Sequence, residues 1–166
     1  MWLQRFTRTC VLGAWGFLFG CAGYSPASLP AGTSLADTRA KLGAPSGEYA
    51  LTGGGKRLEF MRGPAGLHTF MVDFDASGSM QSWTQVLYEE NFATIKIGAR
   101  NGEVLLALGH PAHEFGVWSG TQTIWAYRFD SPQCLWFLVG LSPQGQVAST
   151  QYGPDPRCEF GGKERD

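Results

Sequence analysis

The chain has 166 residues, with 13 Lys and Arg against 14 Asp and Glu, for a formal net charge of −1. No basic stripe runs along it, so nucleic-acid binding has no electrostatic footing; no small-molecule substrate and no cofactor is evident either. With 43% hydrophobic residues and 23 glycines, the composition suits one modest core made of short elements and tight turns.

The first 20 residues read apart from the rest. Arg5 and Arg8 give a basic start, Val11 to Phe19 gives a short apolar run, and Leu18-Phe19-Gly20-Cys21 closes it. That run falls short of the ~20 apolar residues a membrane span needs, so it reads as the core of a secretory signal. Leu18 three positions before the cysteine and Gly20 just before it resemble a bacterial lipobox, with Phe19 bulkier than usual. The plain alternative is an ordinary signal peptide that happens to contain a cysteine. The lipobox resemblance implies cleavage before Cys21 and acylation of Cys21, and stable anchoring takes more than one acyl chain. Ala22 in place of Asp, by resemblance to lipoprotein sorting rules, favours the periplasmic face of the outer membrane. Residues 21–31 then read as the lipidated cysteine and a flexible tether. Without Arg5 and Arg8 the remaining 146 residues carry 11 basic and 14 acidic side chains, a charge of −3.

Beyond the tether the chain says nearly the same thing twice, in residues 32–88 and 89–158. Gly32 is followed by Leu42, Gly43 and Pro45, and 66 residues on Gly98 is followed by Leu108, Gly109 and Pro111. After a one-residue slip in a loop, Phe60 matches Tyr127, Phe70 matches Phe137, Val72 matches Val139 and Gly78 matches Gly145. Matched glycines, prolines and apolar positions in one order mark an internal repeat. In the first copy Ser34-Leu35-Ala36-Asp37 has the form of a capping box, and Leu35, Thr38 and Leu42 line one face of a short helix. Gly43 and Pro45 end that helix. In the second copy Val104, Leu105 and Leu108 face inward, Asn101 is the candidate cap, and an extra helical turn is expected over 89–95. Four strand-like runs follow each helix, at 48–52, 57–62, 67–75 and 79–88, then at 114–119, 123–129, 134–141 and 146–153. Their connections are too short for parallel crossovers, which makes the sheets antiparallel. The expected fold is α+β: two tandem repeats, each a short helix or helix pair on an antiparallel four-stranded sheet, followed by a disordered tail at 159–166.

Two cysteines remain in the folded part, Cys134 and Cys158, and in an oxidising envelope they are expected to form a disulfide. The order Gly98…Glu103-Val104…Leu108-Gly109-His110-Pro111, followed by aromatic strands, resembles the SmpA/OmlA (BamE-like) family of outer-membrane lipoproteins; Gly32…Leu42-Gly43-Ala44-Pro45 matches it more loosely. The tandem arrangement also resembles the β-lactamase inhibitor protein fold. The first resemblance implies a role in envelope biogenesis beside the β-barrel assembly machinery. The second implies protein binding through a sheet surface.

Other motifs carry less. Asp73-Phe74-Asp75-Ala76-Ser77-Gly78 opens like a calcium loop but has Thr84 where a bidentate glutamate belongs, so it reads as a hairpin. Gly53-Gly54-Gly55-Lys56 joins two strands and does not lead into a helix as a phosphate loop does. His68, His110 and His113 lack the spacing of a metal site, and no nucleophile motif is present. The expected protein is therefore non-catalytic, without metal or cofactor, and tied to the membrane by lipid. Its expected partners are envelope proteins, with an inhibitor-type module gripping a soluble protein as the alternative. Trp118, which borders a turn, and Trp136, which cannot share a face with both Leu135 and Phe137, are the candidate partner-binding residues.

Overall fold

The computed structural model describes residues 25–62, 66–116, 120 and 122–160. Cys21, Trp118 and the end of the chain from 161 lie outside the described residues. The first unit comprises helix α1 (Leu35–Leu42) and strands β1 (Gly47–Ala50), β2 (Lys56–Met61), β3 (Thr69–Phe74) and β4 (Met80–Gln85). The second comprises α2 (Glu89–Phe92), α3 (Asn101–Leu108), β5 (His113–Gly116), β6 (Thr123–Arg128), β7 (Leu135–Leu141) and β8 (Val147–Pro154), closed by α4 (Pro156–Phe160). The fold is α+β, with two four-stranded antiparallel sheets that each run as a meander in chain order.

The repeat is carried by matched hydrogen bonds. Gly32 donates its N–H to the Met80 carbonyl and Gly98 to that of Val147; Leu35 bonds Gly78 and Asn101 bonds Gly145. Upstream, Leu29 bonds back to Pro26 as Ile95 does to Phe92, and Thr33 to Pro30 as Ala99 does to Lys96. The 66-residue offset therefore holds from Pro26 through the ends of both helices. Gly43 and Gly109 terminate those helices at φ +89 and +80, where an L side chain is strained.

Four expectations are corrected here. The cap of α3 is Arg100, because an isolated bridge to Gln146 holds it extended, as the Ser34–Ser79 bridge holds Ser34. The Glu103 carboxylate accepts the Arg100 N–H at 3.2 Å, and Asn101 is the first helical residue. The leading turn of the second copy spans only Glu89–Phe92, and the first copy fills the same place with a 3-10 turn, Pro26–Ser28. The chain is consequently part of the fold from Ser25 and does not act as a tether there: Ser25 caps that turn, Pro26 is buried and Leu29 packs on the core. At the other end residues 159 and 160 complete α4 where a tail was expected.

Both faces of the first sheet are packed. Leu58, Phe60, Phe70, Val72, Phe74 and Met80 alternate onto the face covered by Leu35 and Leu42 of α1. The intervening residues point the other way, against the second unit. Met71 shares a core with Val104 and Leu108 of α3, which in turn meet Trp125, Tyr127, Phe137, Val139 and Leu141 of the second sheet. The layers thus run α1, first sheet, α3, second sheet.

Polar groups fix this stacking. Arg57 of β2 holds Asp73 through two bonds of 2.6 and 2.8 Å and donates to the Leu106 carbonyl at 2.9 Å, near the C-terminus of α3. Glu59, fully buried on the same face, accepts from Tyr49 Oη at 2.6 Å and the His110 N–H at 2.9 Å, and lies 2.8 Å from His110 Nδ1. Three partners on a buried carboxylate are what make its burial tolerable. Burial, and then the bond to Glu59, raise the Tyr49 phenol well above its ordinary value.

Candidate functional site: the outer face of the second sheet

Among the described residues neither α1 nor α3 covers the outer face of the second sheet, and that face carries side chains that folding leaves over. Strand β5 contributes His113 and Phe115, two apart and so on one face. Strand β7 contributes Trp136 and Leu138, while Leu135 and Phe137 turn inward to the core beside α3. Gly153 of β8 lies opposite Trp136, and a Cβ there would come within 2.9 Å of Leu138 Cδ1. A glycine in this strand keeps the face hollow. The result is a groove of about 410 Å³, lined by His113, Phe115, Trp136, Leu138, Pro154 and Pro156 among others.

Trp136, one of the two candidate partner-binding residues, forms the floor of the groove and is buried. It is 8% accessible, stacked on His113 with ring centres 5.2 Å apart and planes 6° apart. At its back lies a buried ion pair, with Arg128 Nε donating to Asp155 Oδ2 at 2.8 Å. Burial would raise the Asp155 carboxyl. The Arg157 backbone N–H, the Trp136 indole and the Arg128 guanidinium outweigh it and hold the carboxyl below its ordinary value. The indole N–H acts on it without reaching hydrogen-bonding geometry. Cys134 and Cys158 are joined in a disulfide with Cα atoms 6.4 Å apart, and Asp155 donates its N–H to the Cys134 carbonyl. The bond ties α4 to the start of β7 and so fixes Pro156, one wall of the groove. Phe115, 44% accessible, forms the open rim; it did not stand out in the sequence, and His113 did so only as a metal candidate, because an exposed four-residue edge strand has no burial pattern to read.

The remaining polar motifs have local partners. Asp75 Oδ1 accepts from Ser77 Oγ at 2.6 Å and from the N–H groups of Ser77 and Ser79, which lowers its pKa, and Oδ2 accepts from Gln81. Its partner in the motif, Asp73, belongs to Arg57. The Gly53–Gly55 segment is a tight turn between β1 and β2, with Gly53 and Gly54 at φ +82 and +83. His68 stacks on Phe70. Among the described residues no group of three or more His, Cys, Asp or Glu side chains is placed to hold a metal ion.

No family model and no curated protein matches this chain. Among solved structures, a cysteine-rich secretory protein from Staphylococcus aureus subsp. aureus Mu50 matches with a TM-score of 0.30 and 15% identity, covering 76% of this chain and 45% of its own. An extracellular protein containing an SCP domain, from Bacillus anthracis str. Ames, matches with a TM-score of 0.29 and 12% identity, over 75% and 44%. The chain therefore spans less than half the length of either structure it matches. At these scores neither protein lends it an activity.

The resemblance to the SmpA/OmlA family and to the β-lactamase inhibitor protein fold is corrected by these findings: no family model and no curated protein supports it, and the solved structures that match bear neither name. The residues that carried it have a local explanation. Leu42-Gly43 with Pro45 and Leu108-Gly109 with Pro111 meet the requirements of any helix that ends in a left-handed glycine before a strand.

Proposed function

We propose that this chain is a non-catalytic, lipid-anchored envelope protein that holds a protein partner in the groove on the outer face of its second sheet. The observation that carries the reading is the groove itself: aromatic, aliphatic and proline side chains on a sheet face that, among the described residues, neither α1 nor α3 covers. Aromatic anchors in a hollow with a partly exposed rim suit a protein side chain or short segment better than a polar metabolite. The non-catalytic reading is supported by the fate of the polar clusters. Glu59, Asp75 and Asp155 each serve a fold contact, and Cys134 is taken up by its disulfide. The anchor reading rests on Leu18, Gly20 and Cys21, and the outer-membrane destination on Ala22.

A photo-crosslinking residue at Phe115 in intact cells tests the binding surface. It should yield a discrete protein adduct that is missing when the same residue replaces Gln144, on the hairpin turn between β7 and β8. Equal adducts at both positions, or none at Phe115, would dismiss the groove as the docking surface. Cys21→Ser tests the anchor: it should abolish fatty-acid labelling and release the protein from membranes.

A further inference from the structure

Four residues, Ala22 to Ser25, separate Cys21 from Pro26. Pro26 is buried and opens the first turn of the fold. Five steps of extended chain reach at most about 18 Å, less than the ~35 Å width of a domain of this length. Acyl chains buried in the bilayer would hold Cys21 at the headgroup level, so the fold would be held against the membrane by whichever side carries Pro26.

The repeat identifies that side. Pro26 stands 66 residues before Phe92, and each accepts the same hydrogen bond from the residue three further on. Phe92 lies stacked on Phe137 at 4.3 Å, and Phe137 is the counterpart of Phe70. Pro26 therefore belongs at the Phe70 end of the first sheet, on the α1 side, where Leu29 also packs. The side chains around Phe70 have an interfacial character. Trp83, 37% accessible, meets it edge-on at 6.0 Å, the exposed His68 stacks on it at 6.1 Å, and the Arg62 guanidinium lies 5.8 Å from its ring centre. Trp83 pairs with Val72, so it shares the α1 face. The second unit has Thr150 and Leu135 where the first has Trp83 and His68. Tryptophan with a basic neighbour is the combination favoured at the boundary between lipid and water.

We infer that the Trp83 end of the α1 face is a membrane-docking surface that lies on the headgroups of the bilayer holding the Cys21 anchor. The groove then points away from the membrane, beyond the first sheet and α3. With layers about 10 Å apart, it stands roughly 20 Å further out than the first sheet, free to meet partners in the periplasm. This inference rests on the lipid-anchor reading of the proposed function.

The test is a photo-crosslinking residue in the full-length chain in intact cells, placed at Trp83 or at Phe115, with adducts identified by mass spectrometry and lipidation followed by fatty-acid labelling. Phospholipid adducts are expected at Trp83 and not at Phe115. Inserting 20 Gly/Ser residues between Gly23 and Tyr24 should lower the Trp83 adduct about tenfold, because effective concentration falls with tether length. A chain that carries label but gives no lipid adduct at Trp83, or an adduct indifferent to the spacer, overturns the docking surface and leaves the anchor standing. A chain without label overturns both.

Discussion

Gly109, which ends helix α3, lies against Glu59 of the first unit: a Cβ built on it would fall 2.7 Å from Glu59 Cδ and 3.1 Å from Thr69 Cγ2. Its counterpart Gly43 has no such neighbour within 4 Å, although both sit at positive φ. Helix termination asks for glycine at both positions, but only Gly109 also sets how closely the two units approach. Glu59 has little freedom to yield, because Tyr49 and His110 fix its oxygens.

Gly43→Ala should therefore cost about 1–3 kcal/mol, the strain of an L residue at positive φ with extended ψ. Gly109→Ala should cost that strain and a further ~1–3 kcal/mol from overpacking. Urea unfolding midpoints of the two variants make the comparison, and equal losses would show that Glu59 gives way freely.

Stability should fall at both extremes of pH, for opposite reasons. Asp155 has a folded-state pKa below its ordinary value of about 4. Its contribution is complete above that pH and is lost as the pH falls through the folded value, because the unfolded chain takes up the proton first. Tyr49 and Tyr127 are raised, both chiefly by burial. Their contribution is complete below about pH 10 and is lost above it, as the unfolded phenols ionise and the folded ones do not. Melting curves from about pH 2 to pH 5 should show a shallower acid limb in Asp155→Asn than in the native chain. Superimposable acid limbs would remove Asp155 from the explanation.

The Cys134–Cys158 bond closes a loop with a sequence separation of 24, for which loop-closure entropy gives roughly 3 kcal/mol. Cys134 also sits at φ +57, a conformation that α4 and β7 together must hold. The Cys134→Ser, Cys158→Ser double variant should unfold at lower urea than the oxidised native protein and show faster amide exchange in α4. Matched midpoints would mean that packing alone secures α4 against the sheet.

Much of the fold was legible because the repeat is written in residues with single-purpose geometry. Gly32, Gly43, Gly78 and their counterparts hold positive φ, so their order reported turns and helix ends whatever lay between them. The alternation Leu135-Trp136-Phe137 correctly divided that strand between two faces. It did not report that Trp136 would be covered, since His113 and Asp155 arrive from distant elements. The burial of Glu59 was equally hidden, because a carboxylate between Leu58 and Phe60 ordinarily marks the solvent side of a strand. Only the stacking of α3 on the first sheet turns that side inward, and periodicity within one unit carries no record of what the other unit covers. Pro26 and Pro30 suggested a tether by composition, whereas the backbone bonds they share with the second unit make them part of the fold.

The groove can be separated from the core by choice of residue. Trp136→Ala removes a buried ring and should cost about 3 kcal/mol or more, so any loss of binding it brings is ambiguous. Phe115, half out in solvent, is not: Phe115→Ser should stay within about 1 kcal/mol of native stability. The deciding measurement is the yield of the partner co-purified with the Phe115→Ser chain, taken together with its melting temperature. A docking surface on the second sheet predicts a yield about tenfold lower or less with melting within a few degrees of native. Undiminished yield from a folded Phe115→Ser protein would contradict it.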